Sequence, residues 1–211
     1  IEKRAAQLQT VSSVARTIAS AQEINTLLPD ITKLVSDQFS FYHTGIFLVD
    51  DLNEFAVLRA SNSIGGAKML NRQHKLKLDA NSIVGYAASQ GEPRIALDVG
   101  ADSIYFNNPD LPNTRSEMAL PLRIGGRVIG VLDVQSTQPD AFAESDIDTL
   151  AILADQVTIA IENARLFSEA RESLGKSEEA FSRYVKQEWG EFASQSKNTG
   201  YVFDGNRTTA L

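Results

Sequence analysis

The sequence contains no cysteine. This absence excludes disulfide bonds, thiolate nucleophiles, thiol redox chemistry, Cys-ligated zinc and iron–sulfur clusters within these residues. Histidine is also scarce, since His43 and His74 are the only two, and a transition-metal site is therefore not expected. A lack of cysteine is typical of a reducing compartment. We expect a cytoplasmic protein, or the cytoplasmic part of a membrane-anchored receptor.

Positive charge and long apolar runs are limited as well. The 20 Lys and Arg residues face 27 Asp and Glu residues, which gives a net charge of −7. Nucleic-acid binding needs clustered basic side chains, so this balance argues against a nucleic-acid partner. The apolar segments are shorter than the ~20 residues of a membrane-spanning helix, and no signal peptide opens the sequence, so we expect no membrane insertion.

The most informative segment is 116–136, SEMALPLRIGGRVIGVLDVQS. Two apolar runs flank Gly125-Gly126, a pattern that predicts a tight β-hairpin. The second run is apolar on both faces apart from Asp133, whereas an antiparallel strand with one wet face usually alternates. The segment therefore predicts a sheet that is covered on both sides. Because an unpaired buried carboxylate is costly, Asp133 is predicted to have a structural partner or to lie at an edge.

Other elements follow from local periodicity and turn residues. Helical patterns cover 2–20 and 24–35, and a long helix begins at Asp146 with Ser145 as its N-cap. We interpret Gly65-Gly66 as a turn and Gly190 as the end of the long helix. Strands are predicted at 43–50, 55–60, 75–78 and 93–97, and a helical turn capped by Ser82 at 82–89.

The long helix carries two predicted apolar stripes. One stripe runs from Ile147 to Ala164 and would cover the sheet. The other has a seven-residue step, which is typical of a helix that packs on a partner helix. The first helix shows similar spacing. We therefore predict a homodimer through the terminal helices, with these interface residues: Leu8, Val11, Ala15, Ile18, Leu153, Ala160 and Phe167.

The chain resembles the GAF family, small-molecule-sensing and dimerising modules of bacterial histidine kinases, cyclases, phosphodiesterases and transcription regulators. The resemblance covers about residues 20–170 and rests on motifs in order along the chain. These are DANSIVGYAA at 79–88, GEP at 91–93, SEMALPL at 116–122, GGRVIGVLDV at 125–134, FAESDIDTL at 142–150 and ADQVTIAIENARLF at 154–167.

The resemblance implies an α+β fold. In this fold an antiparallel sheet of five or six strands carries the N- and C-terminal helices on one face and a variable lid on the other. A ligand cavity would lie between sheet and lid. We divide the chain into a signalling helix at 1–20, the GAF-like domain at 21–170, and a helical linker with the start of a following element at 171–211. The piece is expected to belong to a longer signalling protein, whose adjacent domains would be its partners.

Several ligand classes of the family can be tested against these residues. Covalent tetrapyrrole attachment and methionine-sulfoxide reduction both use cysteine, which is absent. Cyclic-nucleotide-binding members carry an Asn-Lys, Phe and Asp-Glu pattern near the last hairpin. The corresponding residues here are Gln135-Ser136, Phe142 and Asp146-Ile147, of which only Phe142 and Asp146 match. Cyclic nucleotide is therefore disfavoured, and no cofactor is identified.

The predicted ligand-binding residues are the polar and aromatic groups of the lid and its frame. Arginine would suit a carboxylate or phosphate, but the arginines could equally be salt-bridge partners. Aromatics of the lid could form core, and Glu117 could cap backbone N–H groups of the 107–115 loop. We interpret His74 as a solvated loop residue. The candidates are Arg59, Tyr86, Arg94, Tyr105, Phe106, Arg115 and Glu117.

Two functions remain open. A sensor would keep an open cavity lined by arginine and relay binding through the flanking helices. A ligand-free dimerisation and relay module would have a small cavity filled by side chains. The sequence shows no Ser-His-Asp set, no pair of catalytic carboxylates and no phosphate-binding Gly loop, so we do not expect an enzyme. Trp189 and Phe192 are expected to pack on the domain or on a second copy.

Overall fold

The computed structural model describes residues 24–104, 106–195 and 200–210. The chain divides into two compact units, Ile1–Arg165 and Leu166–Leu211. The predicted interface residues Leu8, Val11, Ala15 and Ile18 lie outside the described residues. The helices are α1 (Ile24–Phe39), α2 (Ile64–Asn71), α3 (Ile83–Gln90) and α4 (Glu144–Gln195). The strands are β1 (His43–Val49), β2 (Phe55–Ser61), β3 (Lys75–Lys77), β4 (Arg94–Ala96), β5 (Ser116–Ile124), β6 (Arg127–Ser136), β7 (Tyr201–Phe203) and β8 (Thr208–Ala210).

The first unit is built on a six-stranded sheet in the order β3-β2-β1-β6-β5-β4. Every pair of neighbouring strands is antiparallel. The predicted hairpin joins β5 to β6, and both turn glycines have positive φ, 55° at Gly125 and 83° at Gly126. This architecture confirms the predicted α+β fold.

One face of the sheet packs against α1 and α4, and we call it the helical face. Its buried residues are almost all large and aliphatic, from α1 (Leu27, Ile31, Val35), the strands (Ile46, Met118, Leu120, Leu132) and α4 (Leu150, Leu153, Val157). Removing this apolar area from water is the main stabilising contribution to the unit.

The other face is covered by α2, α3 and the loop 97–115, which together we call the lid. The buried core here is smaller, with Phe47, Leu58, Met69, Ile83 and Val131 among its members. The sheet is thus covered on both sides, as the apolar pattern of β6 predicts.

The predicted dimer stripe on α4 needs correction. Leu153 is 0% exposed and Ala160 3%, so both pack on their own sheet. The reason is local geometry: Leu153 lies three residues after Leu150 and four before Val157, and these spacings place side chains on one helix face. In the first unit, the exposed apolar residues of α4 are Ile152 and Ile159, each 51% exposed. Phe167 lies in the second unit and is 46% exposed.

Three predictions about helix boundaries are also wrong. Gly65-Gly66 opens α2 and is not a turn; a Cβ on Gly66 would lie 1.8 Å from Ser61 Oγ, so only glycine permits this approach. Helix α4 begins at Glu144, which puts Ser145 inside the first turn, and it continues through Gly190. By contrast, Ser82 caps α3 as predicted and accepts a hydrogen bond from the Gly85 N–H at 2.9 Å.

The second unit contains the end of α4 and the β7–β8 hairpin, in which Val202 pairs with Thr209. Trp189 and Phe192 are each 66% exposed and contact one another edge to face at 5.9 Å between ring centroids. No described helix has an apolar stretch long enough to cross a bilayer.

Candidate functional site

Four polar side chains meet on the lid face of the three central strands. His43 of β1 and Glu117 of β5 both pair with Gln135 of β6, and Asp133 lies two residues before Gln135 on the same face. Directly opposite residues of an antiparallel sheet share a face, which brings these side chains together. All four are buried. We call His43, Glu117, Asp133 and Gln135 the polar row.

The polar row lines a small cavity of about 20 Å³ beneath the lid. The other walls include Phe47 of β1, Met69 of α2 and Phe106 of the lid loop. A space of this size holds about one water molecule. The cavity is thus small but polar at its base, unlike an ordinary packing defect in an apolar core.

His43 lies at the base of the cavity and is held there through Nδ1. Nδ1 lies 2.7 Å from Ser63 Oγ, and Nε2 lies 3.7 Å from Asp133 Oδ2. Gly45 makes the second approach feasible, because a Cβ there would stand 3.0 Å from His43 Nε2. Burial lowers the pKa of His43 to about 4, with a smaller contribution from His74, so the ring is neutral at pH 7.

Glu117 and Asp133 form a buried carboxyl pair. Gln135 Nε2 donates to Asp133 Oδ2 at 2.8 Å, and Glu117 is hydrogen-bonded to Asp133. Burial raises the pKa of Asp133 to about 7 against these hydrogen bonds. Burial, and then repulsion from Asp133, raises the pKa of Glu117 well above its usual value. Burial thus favours retention of a proton within the pair.

The polar row is not fully satisfied. Among the described residues, His43 Nε2 has no hydrogen-bond partner, and Asp133 Oδ1 has none unless Glu117 keeps its proton. The distance from His43 to Asp133 would allow an ion pair, but burial favours the neutral form of both groups. Unmet polar groups in an interior cost about 1–3 kcal/mol each. The cavity thus offers a polar wall of carboxyl groups that is incompletely hydrogen-bonded.

The structure does not gather the predicted ligand residues in one place. Glu117 and Phe106 line the cavity, while Tyr105 lies outside the described residues. Arg94 pairs with Asp102 at 2.5 Å and stacks over Tyr86, with 5.9 Å between the guanidinium carbon and the ring centroid. These contacts place Arg94 and Tyr86 at the outer end of the lid and not in the cavity wall.

Arg115 and Arg59 also lie outside the cavity wall. Arg115 pairs with Asp98 at 3.3 Å, and Arg59 lies on the surface of β2. Arg94 and Arg115 are therefore salt-bridge partners, which is the alternative role that the sequence left open for the arginines. Glu117 bonds to Asp133, and no hydrogen bond to it from the described part of the 107–115 loop is seen.

The interpretation of His74 as a solvated loop residue is wrong, because its ring is half-buried between aromatic side chains. Its ring stacks on Phe106 at 6.2 Å between centroids and meets the edge of Phe47 at 6.3 Å. Burial lowers the pKa of His74, with the Arg72 charge as the second cause. His74 thus joins the lid loop to the sheet.

Ion pairs join the lid loop to neighbouring elements at two further points. Asp102 pairs with Arg94 of β4 and Asp110 with Arg72 at the end of α2, while Asp98 pairs with Arg115 within the loop itself. The lid is therefore closed by aromatic stacking and surface electrostatics, interactions that are individually weak.

His43 and Gln135 were not predicted as site residues. Their positions on β1 and β6, in strands that place them next to Asp133, could have indicated them. The described residues contain no His, Cys, Asp and Glu cluster suited to a metal ion.

Comparisons with known proteins agree with this fold. The chain is 29% identical over 119 residues to GAF domain-containing protein A of Dictyostelium discoideum, covering 56% of this chain and 69% of that protein. Among solved structures, it resembles free methionine-R-sulfoxide reductase from Neisseria meningitidis in complex with its substrate. That likeness has 23% identity, a TM-score of 0.67, and coverage of 76% of this chain and 90% of the other.

A GAF domain from a Coxiella burnetii phosphoenolpyruvate-protein phosphotransferase has a TM-score of 0.70 at 19% identity, covering 77% of this chain and 96% of the other. At such identities the structural likeness shows the fold alone. The family model described as GAF domain matches residues 6–162. Because that match spans most of the sequence, the chain belongs to the GAF domain family.

Proposed function

We propose that this chain is a non-catalytic sensory module that binds a small molecule carrying a protonated amine between sheet and lid. One observation carries the proposal: the small cavity beneath the lid is lined by two buried carboxyl groups, Glu117 and Asp133, in which burial favours retention of a proton. An ammonium group can take the place of that proton and donate to Asp133 Oδ1.

The charges around the cavity favour a cation over an anion. Arginine and lysine are absent from its described lining, and His43 is neutral at pH 7. An anion would therefore find no cation to pair with and would oppose any ionisation of the two carboxyl groups, since like charges repel strongly in a low-dielectric site. A cation would form charge-assisted hydrogen bonds with the same groups.

We propose a free amino acid as the ligand class, with its ammonium group on the polar row and its carboxylate directed away from it. The structurally similar Neisseria protein is a free methionine-R-sulfoxide reductase in complex with its substrate, and free methionine sulfoxide carries an ammonium group. This chain has no cysteine to supply reducing thiols. It would therefore bind such a molecule without reducing it.

Binding requires the lid to move, because about 20 Å³ cannot hold an amino acid. The His74–Phe106 stack and the Arg72–Asp110 ion pair are the contacts that must yield. Ligand entry would thus change the order of the 97–115 loop. The sheet carries α1 and α4 on its helical face, so these helices are the route for relay to adjacent domains of a cytoplasmic signalling protein.

The test is calorimetric titration with L-methionine sulfoxide and with its N-acetyl derivative, which lacks the cationic amine. Wild type should bind the free amino acid, and Glu117→Gln should weaken that binding at least tenfold. The N-acetyl derivative should not bind either protein. Glu92→Gln, a change at an exposed acid, is the matched control and should bind like wild type. Equal binding of the two compounds would contradict the proposal.

The small volume of the cavity favours a second candidate, a ligand-free dimerisation and relay module. This candidate is supported by two apolar residues of α4, Ile152 and Ile159, which are exposed and lie seven residues apart. In the second unit Leu166, Leu174 and Phe181 are exposed at similar steps. A second copy of the chain is the proposed partner for these residues. Sedimentation equilibrium of wild type and Ile159→Glu tests this, since only wild type should be a dimer.

A further inference from the structure

We infer that the helical face carries a second binding site, for a small organic anion with an apolar body, at the edge of the sheet formed by β2 and β3. The site is a groove of about 860 Å³, here named the basic groove. Its lining includes Leu28 of α1, Leu48 of β1, Val57 and Arg59 of β2, Arg72 and Lys75. Its volume lies within the range of small-molecule sites.

The floor of the groove is formed by apolar side chains of α1, β1 and β2 that are not fully buried together. Val57 pairs with Leu48 on one side and with Lys75 on the other, so the three side chains share the helical face. Val57 and Leu48 are half-buried, while Leu28 is buried beside them. A ligand with a ring or short alkyl chain would remove the remaining apolar area from water.

A β-bulge places one of the cations at the groove. In β2, Ala60 pairs with Ile46 and Leu58 pairs with Phe47, so Arg59 is the extra residue between them. Bulges re-aim side chains next to binding sites. Arg59 is exposed and lines the groove, where its guanidinium can hold a carboxylate, sulfonate or phosphate by two hydrogen bonds.

The charge of the groove runs against that of the chain. The chain has a net charge of −7, yet the described groove lining has three cations and no Asp or Glu. Arg72 pairs with Asp110, but Arg59 and Lys75 form no ion pair within the described part of the chain. Lys75 Nζ lies 3.9 Å from the Phe55 ring centroid, at the border between the cationic and apolar parts.

The basic groove is distinct from the cavity beneath the lid. Its described lining shares no residue with that of the cavity and presents cations, whereas the polar row presents carboxyl groups. The two sites therefore select ligands of opposite charge. This inference does not depend on the amine ligand proposed above.

Two fluorescent probes that differ only in charge test the groove on the full chain. 8-Anilinonaphthalene-1-sulfonate carries an anionic group, and N-phenyl-1-naphthylamine is its neutral counterpart. Wild type should bind the sulfonate at least tenfold more tightly. The double variant Arg59→Gln/Lys75→Gln should lose that tenfold preference and bind the neutral probe within twofold of wild type.

Lys68→Gln/Lys77→Gln is the matched control, because these lysines are exposed nearby, on α2 and β3, but do not line the groove. The control should bind both probes like wild type, and circular dichroism should show the same melting temperature for all three proteins. An unchanged sulfonate affinity in the Arg59/Lys75 variant would overturn the inference. So would equal weakening in the Lys68/Lys77 control, which would indicate a general effect of net charge.

Discussion

The two faces of the sheet are built from the same strands but differ in chemistry. On β6, Leu132 and Val134 face α1 and α4, whereas Asp133 and Gln135 face the lid. The helical face buries a continuous aliphatic core. The lid face buries a carboxyl pair and a neutral histidine beside a small cavity.

This difference indicates where stability and function are placed. An aliphatic core needs only shape complementarity, and it stabilises the unit by burial. A buried polar cluster stabilises a protein little and costs free energy where any member lacks a partner. Its presence under a weakly held lid is the reason that we propose ligand binding at the lid face, with support and relay as the proposed roles of the helical face.

The largest expected effect is a difference in stability between substitutions at two adjacent residues of α4, of which one is buried and the other exposed. Leu153→Glu puts a carboxylate into the aliphatic core and should lower the free energy of unfolding by about 4 kcal/mol or more. Ile152→Glu changes an exposed residue and should alter monomer stability by less than about 0.5 kcal/mol. Urea denaturation measures both. Similar losses in the two variants would show that α4 packs in a different rotation.

A smaller effect concerns pH and the lid face. The folded-state pKa values of Glu117 and Asp133 are raised, so the folded protein binds more protons than the unfolded chain between about pH 4 and 7. Wild type should thus lose stability as pH rises through this window. Glu117→Gln removes one of these groups, and its stability relative to wild type should increase by at least ~1 kcal/mol from pH 5 to 8.

His43 acts in the opposite direction but is present in both proteins. Its lowered pKa gives stability that is present above about pH 6.5 and is lost as pH falls toward its folded value of about 4. The comparison with Glu117→Gln therefore cancels its contribution. A stability difference that stays constant from pH 5 to 8 would show that Glu117 does not hold the extra proton.

The smallest effect on stability concerns the lid. Arg72→Gln breaks the ion pair with Asp110 and should cost at most about 1 kcal/mol, because the pair is partly exposed. Hydrogen exchange should nevertheless quicken at lid amides such as Leu111, which donates to Asn108. Lys33→Gln, which breaks the exposed Lys33–Asp37 pair on α1, is the control and should leave lid exchange unchanged. Unchanged exchange in Arg72→Gln would show that this pair does not hold the lid.

Local patterns were sufficient to predict the strands and the hairpin. They also predicted that Asp133 needs a partner, and the structure supplies Gln135 and Glu117. Helix α2 was missed because its opening glycines suggest a turn. Gly66 allows close approach to Ser61, and Gly65 allows close approach to the carbonyl of Asp110. The second contact joins segments that are far apart in the sequence, so local periodicity does not reveal it.

The site itself depended on register, which a hairpin turn alone does not determine. Ile124 pairs with Arg127 next to the turn, a register that would continue to place Glu117 opposite Val134. A bulge between Leu122 and Arg123 shifts the pairing by one residue and places Glu117 opposite Gln135. That shift brings Glu117 to the face of Asp133. The sequence gives no clear mark of the bulge, so the carboxyl pair could not be predicted.

Native mass spectrometry of the purified protein tests the central claim most directly, with the denatured mass measured in parallel and Glu117→Gln prepared in the same way. The claim is that the carboxyl pair under the lid binds an amine. Wild type should carry an added mass matching a molecule with a basic nitrogen, which is lost on denaturation and absent from the variant. The same added mass on both proteins, or a wild type that stays unliganded when free amino acids are added, would contradict it.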